Sequence, residues 1–119
     1  MIRYELIAPV GELLRRHATE RPEKTAFEDA HGASITYAEL YKKSAALAVA
    51  LQSYGLDTDD RIAILLPNSV DWVVSCMAIT RADGVSVPIS HDAVEGEIRY
   101  RLEDAACKAI IVSTHHLPL

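Results

Sequence analysis

Residues 61–89 read RIAILLPNSVDWVVSCMAITRADGVSVPI, and this stretch decides the fold. It opens with an apolar run, Arg61 to Leu66, closed by Pro67-Asn68. A run that short, ended by a turn, marks a strand buried on both faces, as in parallel sheets. Ser69 predicts a helix cap, with the helix running to about Arg81. Val70, Trp72, Val73, Val74, Cys76, Met77 and Ile79 make that helix apolar nearly all round, so it should lie deep between other elements. Asp83-Gly84 turns the chain into a second strand, Val85 to Ile89. Pro88 belongs at that strand's end, because proline brings no N–H to a ladder. Strand, helix and strand with short joints form a βαβ unit with a right-handed crossover.

The same grammar extends outward. Downstream, Asp92-Ala93-Val94-Glu95 predicts a helix capped by Asp92, with an apolar stripe of Val94, Ile98, Leu102 and Ala105. Its outer face pairs Glu95 with Arg99 and Glu97 with Arg101, each worth about 0.2–0.5 kcal/mol. A strand, Lys108 to Val112, follows. Upstream, Thr36-Tyr37-Ala38-Glu39 is a capping box. Thr36 should accept from the Glu39 amide, and the Glu39 carboxylate should reach back to the Thr36 amide. That helix carries Leu40, Ser44, Leu47, Leu51 and Tyr54 on one stripe and stops at Gly55. Before it, Thr25–Glu28 and Ala33–Thr36 read as a β-hairpin turning at Gly32. A first helix begins near Pro9, aligns Val10, Leu13, Leu14 and His17, and ends at Arg21-Pro22. The expected fold class is α/β: a parallel sheet with flanking helices (βαβαβ), preceded by a helix and a short hairpin. The tail after Val112 leaves one face of the last strand without a helix, so the chain is expected to be cut from something longer.

The totals bound the function. The chain has 119 residues, of which 50% are hydrophobic, enough for one core. Twelve basic against 17 acidic residues leave a net charge of −5 without like-charge blocks. Nucleic acid, which needs concentrated Lys and Arg, is excluded as the main partner. No apolar run approaches the ~20 residues of a membrane span. Cys76 and Cys107 form no CxxC pair and are expected to be reduced and structural. The opening MIRYELIAPV is too short and too polar for a signal peptide, so the cytoplasm is the default expectation.

Five segments carry a resemblance. Arg21-Pro22-Glu23-Lys24-Thr25-Ala26 is similar to RPDKTA. Ser34 to Leu40 is similar to LTYAEL. Gly55-Leu56 and Asp60 to Ser69 are similar to GL..GDRVAILLPNS. Ala82 to Ile89 is similar to AGAVYVPI, with Asp83 and Ser86 as departures. Glu97 to Ala105 is similar to ELRYRLEDS. In this order and spacing they resemble the opening of the AMP-forming adenylating enzymes, the family of acyl-CoA synthetases and peptide-synthetase adenylation domains. The resemblance makes residues 1–119 the N-terminal part of an adenylation domain, truncated before its phosphate loop.

That family activates a carboxylate with ATP. The carboxylate attacks the α-phosphorus, pyrophosphate leaves, and the acyl-adenylate passes its acyl group to CoA or to a carrier-protein phosphopantetheine, with Mg²⁺ neutralising phosphate charge. Fatty, aryl, short and amino acids are all open as substrates. The family's phosphate loop is rich in Ser, Thr and Gly and ends in Pro-Lys-Gly, but Gly11, Gly32, Gly55, Gly84 and Gly96 stand isolated here. Lys24, Lys42, Lys43 and Lys108 match no catalytic position. No catalytic, cofactor-binding or metal-binding residue is therefore assigned. The intact enzyme implies ATP, Mg²⁺ and CoA or carrier phosphopantetheine. The chain alone implies none of these and is expected to be inactive.

One substrate-cleft candidate stands out. Asn68 lies in a strand-to-helix turn, and ligands of open α/β sheets sit beyond the carboxyl ends of strands. The plainer role for Pro67-Asn68-Ser69 is to close the turn and cap the helix. Ser90-His91-Asp92 invites a triad reading, but adjacent residues rarely aim at one another, so a loop ending in the Asp92 cap is expected. His115-His116 reads as a solvated tail, Trp72 as core, His17 as a helix edge and His31 as a turn tip. Three functional classes are carried. The first is scaffold of an adenylating ligase, whose partner is the remainder of that enzyme. The second is a non-catalytic interaction module, which could self-associate through a surface exposed by truncation. The third is an unrelated nucleotide-binding domain, which would need a glycine-rich turn where Pro67-Asn68-Ser69 stands.

Overall fold

The computed structural model describes residues 8–114, so His115-His116 lies outside the described residues. The chain order is α1 (Val10–Glu20), β1 (Thr25–Glu28), β2 (Ser34–Thr36), α2 (Tyr37–Ser53), β3 (Arg61–Leu65), α3 (Val70–Arg81), β4 (Val85–Pro88), α4 (Glu95–Asp104) and β5 (Ala109–Val112). β1 and β2 form an antiparallel hairpin with Phe27 opposite Ile35, and Gly32 takes the left-handed turn position (φ 85°). The other strands form a parallel sheet in the order β4-β3-β5. β3 is the middle strand because the first crossover goes to one side of it and the second to the other. Pro88 ends β4 opposite Ile64, and the Ile64 carbonyl accepts from the Ile89 N–H at 3.0 Å.

Two right-handed crossovers in opposite directions place helices on opposite faces. Ile62 and Ile64 pack with Ala48 and Leu51 of α2 and with Ala78 and Ile79 of α3. Ala63 and Leu65 point the other way, toward Ile89 and Ile98 of α4. All four of these β3 side chains are 0% exposed, and burying an Ile or Leu fully is worth about 1.5–3 kcal/mol. A third cluster joins Leu14 of α1, Ile35 of β2 and Leu40 of α2 against Val70, Val73 and Met77. α3 thus touches the sheet, α1 and α2, which is why it is apolar nearly all round. Its most buried positions are small or slim (Ser75, Ala78, Ile79), while Trp72 and Met77 are half-buried. Arg81 at its end lies 4.4 Å over the Tyr41 ring and donates to the Tyr41 carbonyl and the Ser44 hydroxyl of α2.

The structure corrects several details. The Glu39 N–H donates to Thr36 Oγ1 as expected, but the Glu39 carboxylate accepts from the Thr36 hydroxyl at 3.0 Å, not from the Thr36 amide. Thr36 is also the last residue of β2, in register with Thr25, so its backbone lies in the hairpin. Tyr54 is not on the buried stripe of α2. It is 88% exposed as the C-cap, and Ala48 is buried instead. Asp92 does not cap α4: Val94 holds that position in extended conformation, with no side-chain bond. Residues 90–93 close a turn of their own, in which the Ser90 carbonyl accepts from the Ala93 N–H at 3.0 Å. This delays the helix, leaves Val94 71% exposed and brings Ala93 to the core instead. The pairs Glu95–Arg99 and Glu97–Arg101 form at 2.9 and 3.1 Å.

One device ends all three helices of the sheet domain. In each, the residue after the C-cap is left-handed, and the next N–H bonds a carbonyl five residues back: Leu56 to Leu51, Gly84 to Ile79 and Cys107 to Leu102. This is the Schellman motif. The left-handed residues are Gly55, Asp83 and Ala106. At Asp83-Gly84 the glycine is therefore required for space and not for its φ. A Cβ on Gly84 would stand 2.8 Å from Ile62 Cδ1 and 3.2 Å from the Asp60 carbonyl. Ala106 carries a Cβ in a conformation that costs L-residues about 1–2 kcal/mol. Ala106→Gly is expected to raise unfolding stability by about 1 kcal/mol in urea titrations.

The amino ends of the strands are held by charge. Lys108 Nζ, just before β5, donates to Asp60 Oδ2 at 2.9 Å and to the Gly55 carbonyl at 2.7 Å. Asp60 also accepts from the Asp57 N–H at 2.7 Å. The Asp57 amide first, and then Lys108, hold the Asp60 carboxyl below its ordinary value. The bond to Asp60 holds Lys108 above its own. Asp60 therefore contributes stability above the ordinary Asp pKa and loses it as pH falls through the lowered value. Lys108 contributes below the ordinary Lys pKa and loses it as pH rises through the raised one. The latch is at full strength between about pH 4 and about pH 10. Urea titrations across that range should show Lys108→Met less stable than the parent at pH 7. The gap should shrink at both extremes, and part of the acid slope should survive through Asp57.

Candidate functional site

The carboxyl ends of β3 and β4 open onto a cleft of about 280 Å³. Its walls are two turns. The first runs from Leu66 through Asn68 to Ser69. Pro67 has no N–H to satisfy, and its carbonyl accepts from the Ser69 hydroxyl at 2.9 Å. Ser69 Oγ in turn accepts from the Trp72 N–H at 3.2 Å, which caps α3 as the sequence predicts. Asn68 is exposed on this wall, and its side chain makes no hydrogen bond among the described residues. Ser69, not Asn68, therefore satisfies the turn. The second wall is the turn after β4, with Pro88, Ile89 and Ser90-His91-Asp92. Trp72 of α3 lines the cleft and also packs against the core.

The structure thus brings together two segments that the sequence treats separately, Asn68 and Ser90-His91-Asp92. It does not make the latter a triad. Ser90 Oγ accepts from the Asp92 N–H at 3.4 Å, as in a local turn. Asp92 Oδ1 lies 3.4 Å from His91 Nδ1 on an exposed surface. Among the described residues, the lining holds no Lys or Arg. The lining mixes Trp72, two prolines and the free Asn68 amide with His91 and Asp92, and offers no Lys or Arg to a polyphosphate.

Sequence reasoning missed Asp29. Its Oδ1 accepts from the His31 and Ala33 N–H groups at 2.9 and 3.1 Å, and its Oδ2 accepts from the Val70 N–H at 3.3 Å. Burial alone would raise the Asp29 carboxyl. The amides of His31, Val70 and Ala33, together with the His31 imidazole, outweigh it and hold the carboxyl below its ordinary value. An Asp before a Gly-containing turn is a legible turn signal. Its reach to Val70, 41 residues away, has no local sequence mark. Val70 is the first residue of α3, where phosphate-binding folds receive their anion. Here a resident carboxylate occupies that place, which counts against the nucleotide-binding reading.

A second crevice, about 480 Å³, opens where β3 and β5 diverge, with Leu66, Asp71, Ser75 and Thr114 on its walls. This is the topological switch point of the sheet, and only the strand order reveals it. Of the remaining candidates, His31 is exposed at the hairpin turn, and His17 packs its ring 5.0 Å from Tyr37 with Nδ1 buried and unbonded. Cys76 and Cys107 are free and half-buried. Burial pushes the Cys107 thiol up, against the smaller opposing pull of Arg61. Among the described residues, no group of three or more His, Cys, Asp or Glu could hold a metal ion, and no helix is long and apolar enough to cross a membrane.

The pattern of the AMP-binding enzyme family matches residues 14–118, which contain all five motif segments. The chain belongs to that family. Over 108 residues the chain is 37% identical to a naringenin synthase of Pestalotiopsis fici, a match covering 91% of the chain and 4% of the relative. Surfactin synthase subunit 2 of Bacillus subtilis is 31% identical over 110 residues, covering 92% and 3%. The inhibitor-bound N-terminal domain of FACL13 from Mycobacterium tuberculosis superposes with a TM-score of 0.84 at 28% identity, over 94% of this chain and 28% of that one. The chain spans only a small part of each, and its parallel sheet, helices and preceding hairpin belong to the N-terminal subdomain architecture of such enzymes.

The local role of Ser69 is directly testable. Ser69→Ala is expected to cost about 1 kcal/mol in urea or thermal unfolding, because the Trp72 amide then loses its cap.

Proposed function

We propose that this chain is scaffold of an ATP-dependent carboxylate-activating ligase, which forms an acyl-adenylate and passes the acyl group to CoA or to a carrier phosphopantetheine. The observation that carries the reading is the family match across residues 14–118. The five motif segments inside it also have physical roles as caps, turns and buried strands. Residues 1–119 form, in this reading, the N-terminal part of the adenylation domain, ahead of its phosphate loop. Asn68 faces the substrate cleft of the assembled enzyme. Its exposed, unbonded amide and its place beyond β3 support that role. The two free thiols suit a reducing compartment, and the cytoplasm is the proposed location.

The described residues do not fit ATP or Mg²⁺. The α3 N-terminus is filled by Asp29, the cleft lining has no Lys or Arg, and no acidic group is built for a metal. No step of adenylation is therefore assigned to them. What they supply is position, on which adenylation depends along with electrostatics provided elsewhere. The chain alone, mixed with ATP, Mg²⁺ and a panel of carboxylic acids, is expected to give pyrophosphate exchange at the blank level. Exchange above blank would overturn the scaffold reading.

A further inference from the structure

We infer that Asp29 is a positioning residue for the Asn68 turn: from the hairpin tip, its carboxylate holds the first amide of α3 and so fixes the wall of the cleft. Calling that turn a cleft wall rests on the proposed function; the strut itself does not.

The argument starts from helix ends. The first amides of a helix have no partner within it, and each must find one. In α3 the Trp72 amide is taken by the local cap Ser69, and the Val73 amide by the Ser69 carbonyl. Ser69 does not serve Val70, whose N–H points to Asp29 Oδ2 at 3.3 Å. Asn68 lies two residues before Val70, so whatever fixes Val70 limits how far the turn can swing. The Ser69 cap does not do this alone, because Ser69 belongs to the same turn and ties it only to its own helix.

Asp29 can hold the turn because it is itself held. Its other oxygen accepts from two amides of its own turn, and its backbone N–H donates to the Ala33 carbonyl at 2.8 Å. The hairpin is anchored in turn by Ile35, which is 2% exposed and packs in the cluster that includes Val70. The carboxylate therefore adds a polar tie between the hairpin and the α3 N-terminus, beside the apolar contact that Ile35 and Val70 already share. Carboxylate–amide bonds are among the stronger ones, and a negative charge at a helix N-terminus adds to them.

The test uses NMR on this chain without substrate. In the parent, the Val70 amide proton should titrate together with the Asp29 carboxyl. Asp71→Asn serves as background to remove the nearest other carboxylate on α3, and His31 is followed separately because it also faces Asp29. In Asp29→Asn, hydrogen exchange at Val70 should quicken by about tenfold, and the Asn68 side-chain amide and Trp72 indole signals should shift. In Ser69→Ala the Trp72 amide should respond instead. Changes confined to residues 29–33, or a Val70 amide that does not follow Asp29, would overturn the strut. If Asp29→Asn does not fold, the parent titration still decides. Pyrophosphate exchange by the isolated chain would sink the proposed function without touching this result, so the two failures are distinguishable.

Discussion

The constraint on which the structure depends is that β3 has no solvent face. Ile62, Ala63, Ile64 and Leu65 are each fully enclosed, alternating toward two different layers. A strand in that situation needs a neighbour on each edge and a helix layer on each face. The order β4-β3-β5 supplies the edges. Right-handed crossovers then leave no choice about the faces: α3 on one, α4 on the other. α2 shares the sheet face with α3, and α1 and the hairpin follow outside them, because α3 is itself apolar on the side away from the sheet.

The two ends of the sheet are built differently. At the amino ends, Lys108 ties the α4–β5 loop to Asp60 and Gly55 of the α2–β3 loop, and Arg61 Nη1 donates to the Ala105 carbonyl at 2.9 Å. Groups of both signs meet there and are satisfied. At the carboxyl ends, the Ser69 and Ser90 hydroxyls close the turns after β3 and β4, the Asp29 carboxylate takes the Val70 amide, and the Asn68 amide is left unbonded among the described residues.

Much of this was legible because each signal was local. Ser69, Gly55 and Thr36 mark helix ends within a few residues of where they act. The enclosed strand announces itself by composition. What failed did so for physical reasons. Asp92 has the right chemistry for a cap, but the turn closed by Ser90 postpones the helix to Val94. Tyr54 keeps the period of α2, yet stands where the helix has already ended. Ala106 breaks the rule that left-handed C-terminal positions take glycine, so its motif is invisible to residue type. For the site, the Asn68 turn could be placed at a strand end from sequence, but its meeting with Ser90-His91-Asp92 required the parallel register of β3 and β4. Asp29 was legible only as a turn residue, and its bond to Val70 was not, since that partner lies 41 residues away.

That hidden carboxylate bears on how labour is divided in the enzyme proposed here. A helix N-terminus after the first parallel strand is the cheapest place for an α/β fold to bind phosphate, since the dipole and free amides are already present. This chain spends that feature on an internal contact. Val70 is bonded to Asp29, Trp72 to Ser69, and the cleft beside them lacks Lys and Arg among its described lining. A phosphate brought there would meet a carboxylate and find no unpaired cation in the wall. In the proposed ligase, the positive electrostatics of adenylation must therefore come from elements other than these. What the contact supplies instead is constraint: the turn bearing Asn68 is tied to the hairpin through Asp29, as a wall that positions substrate in the proposed enzyme would need.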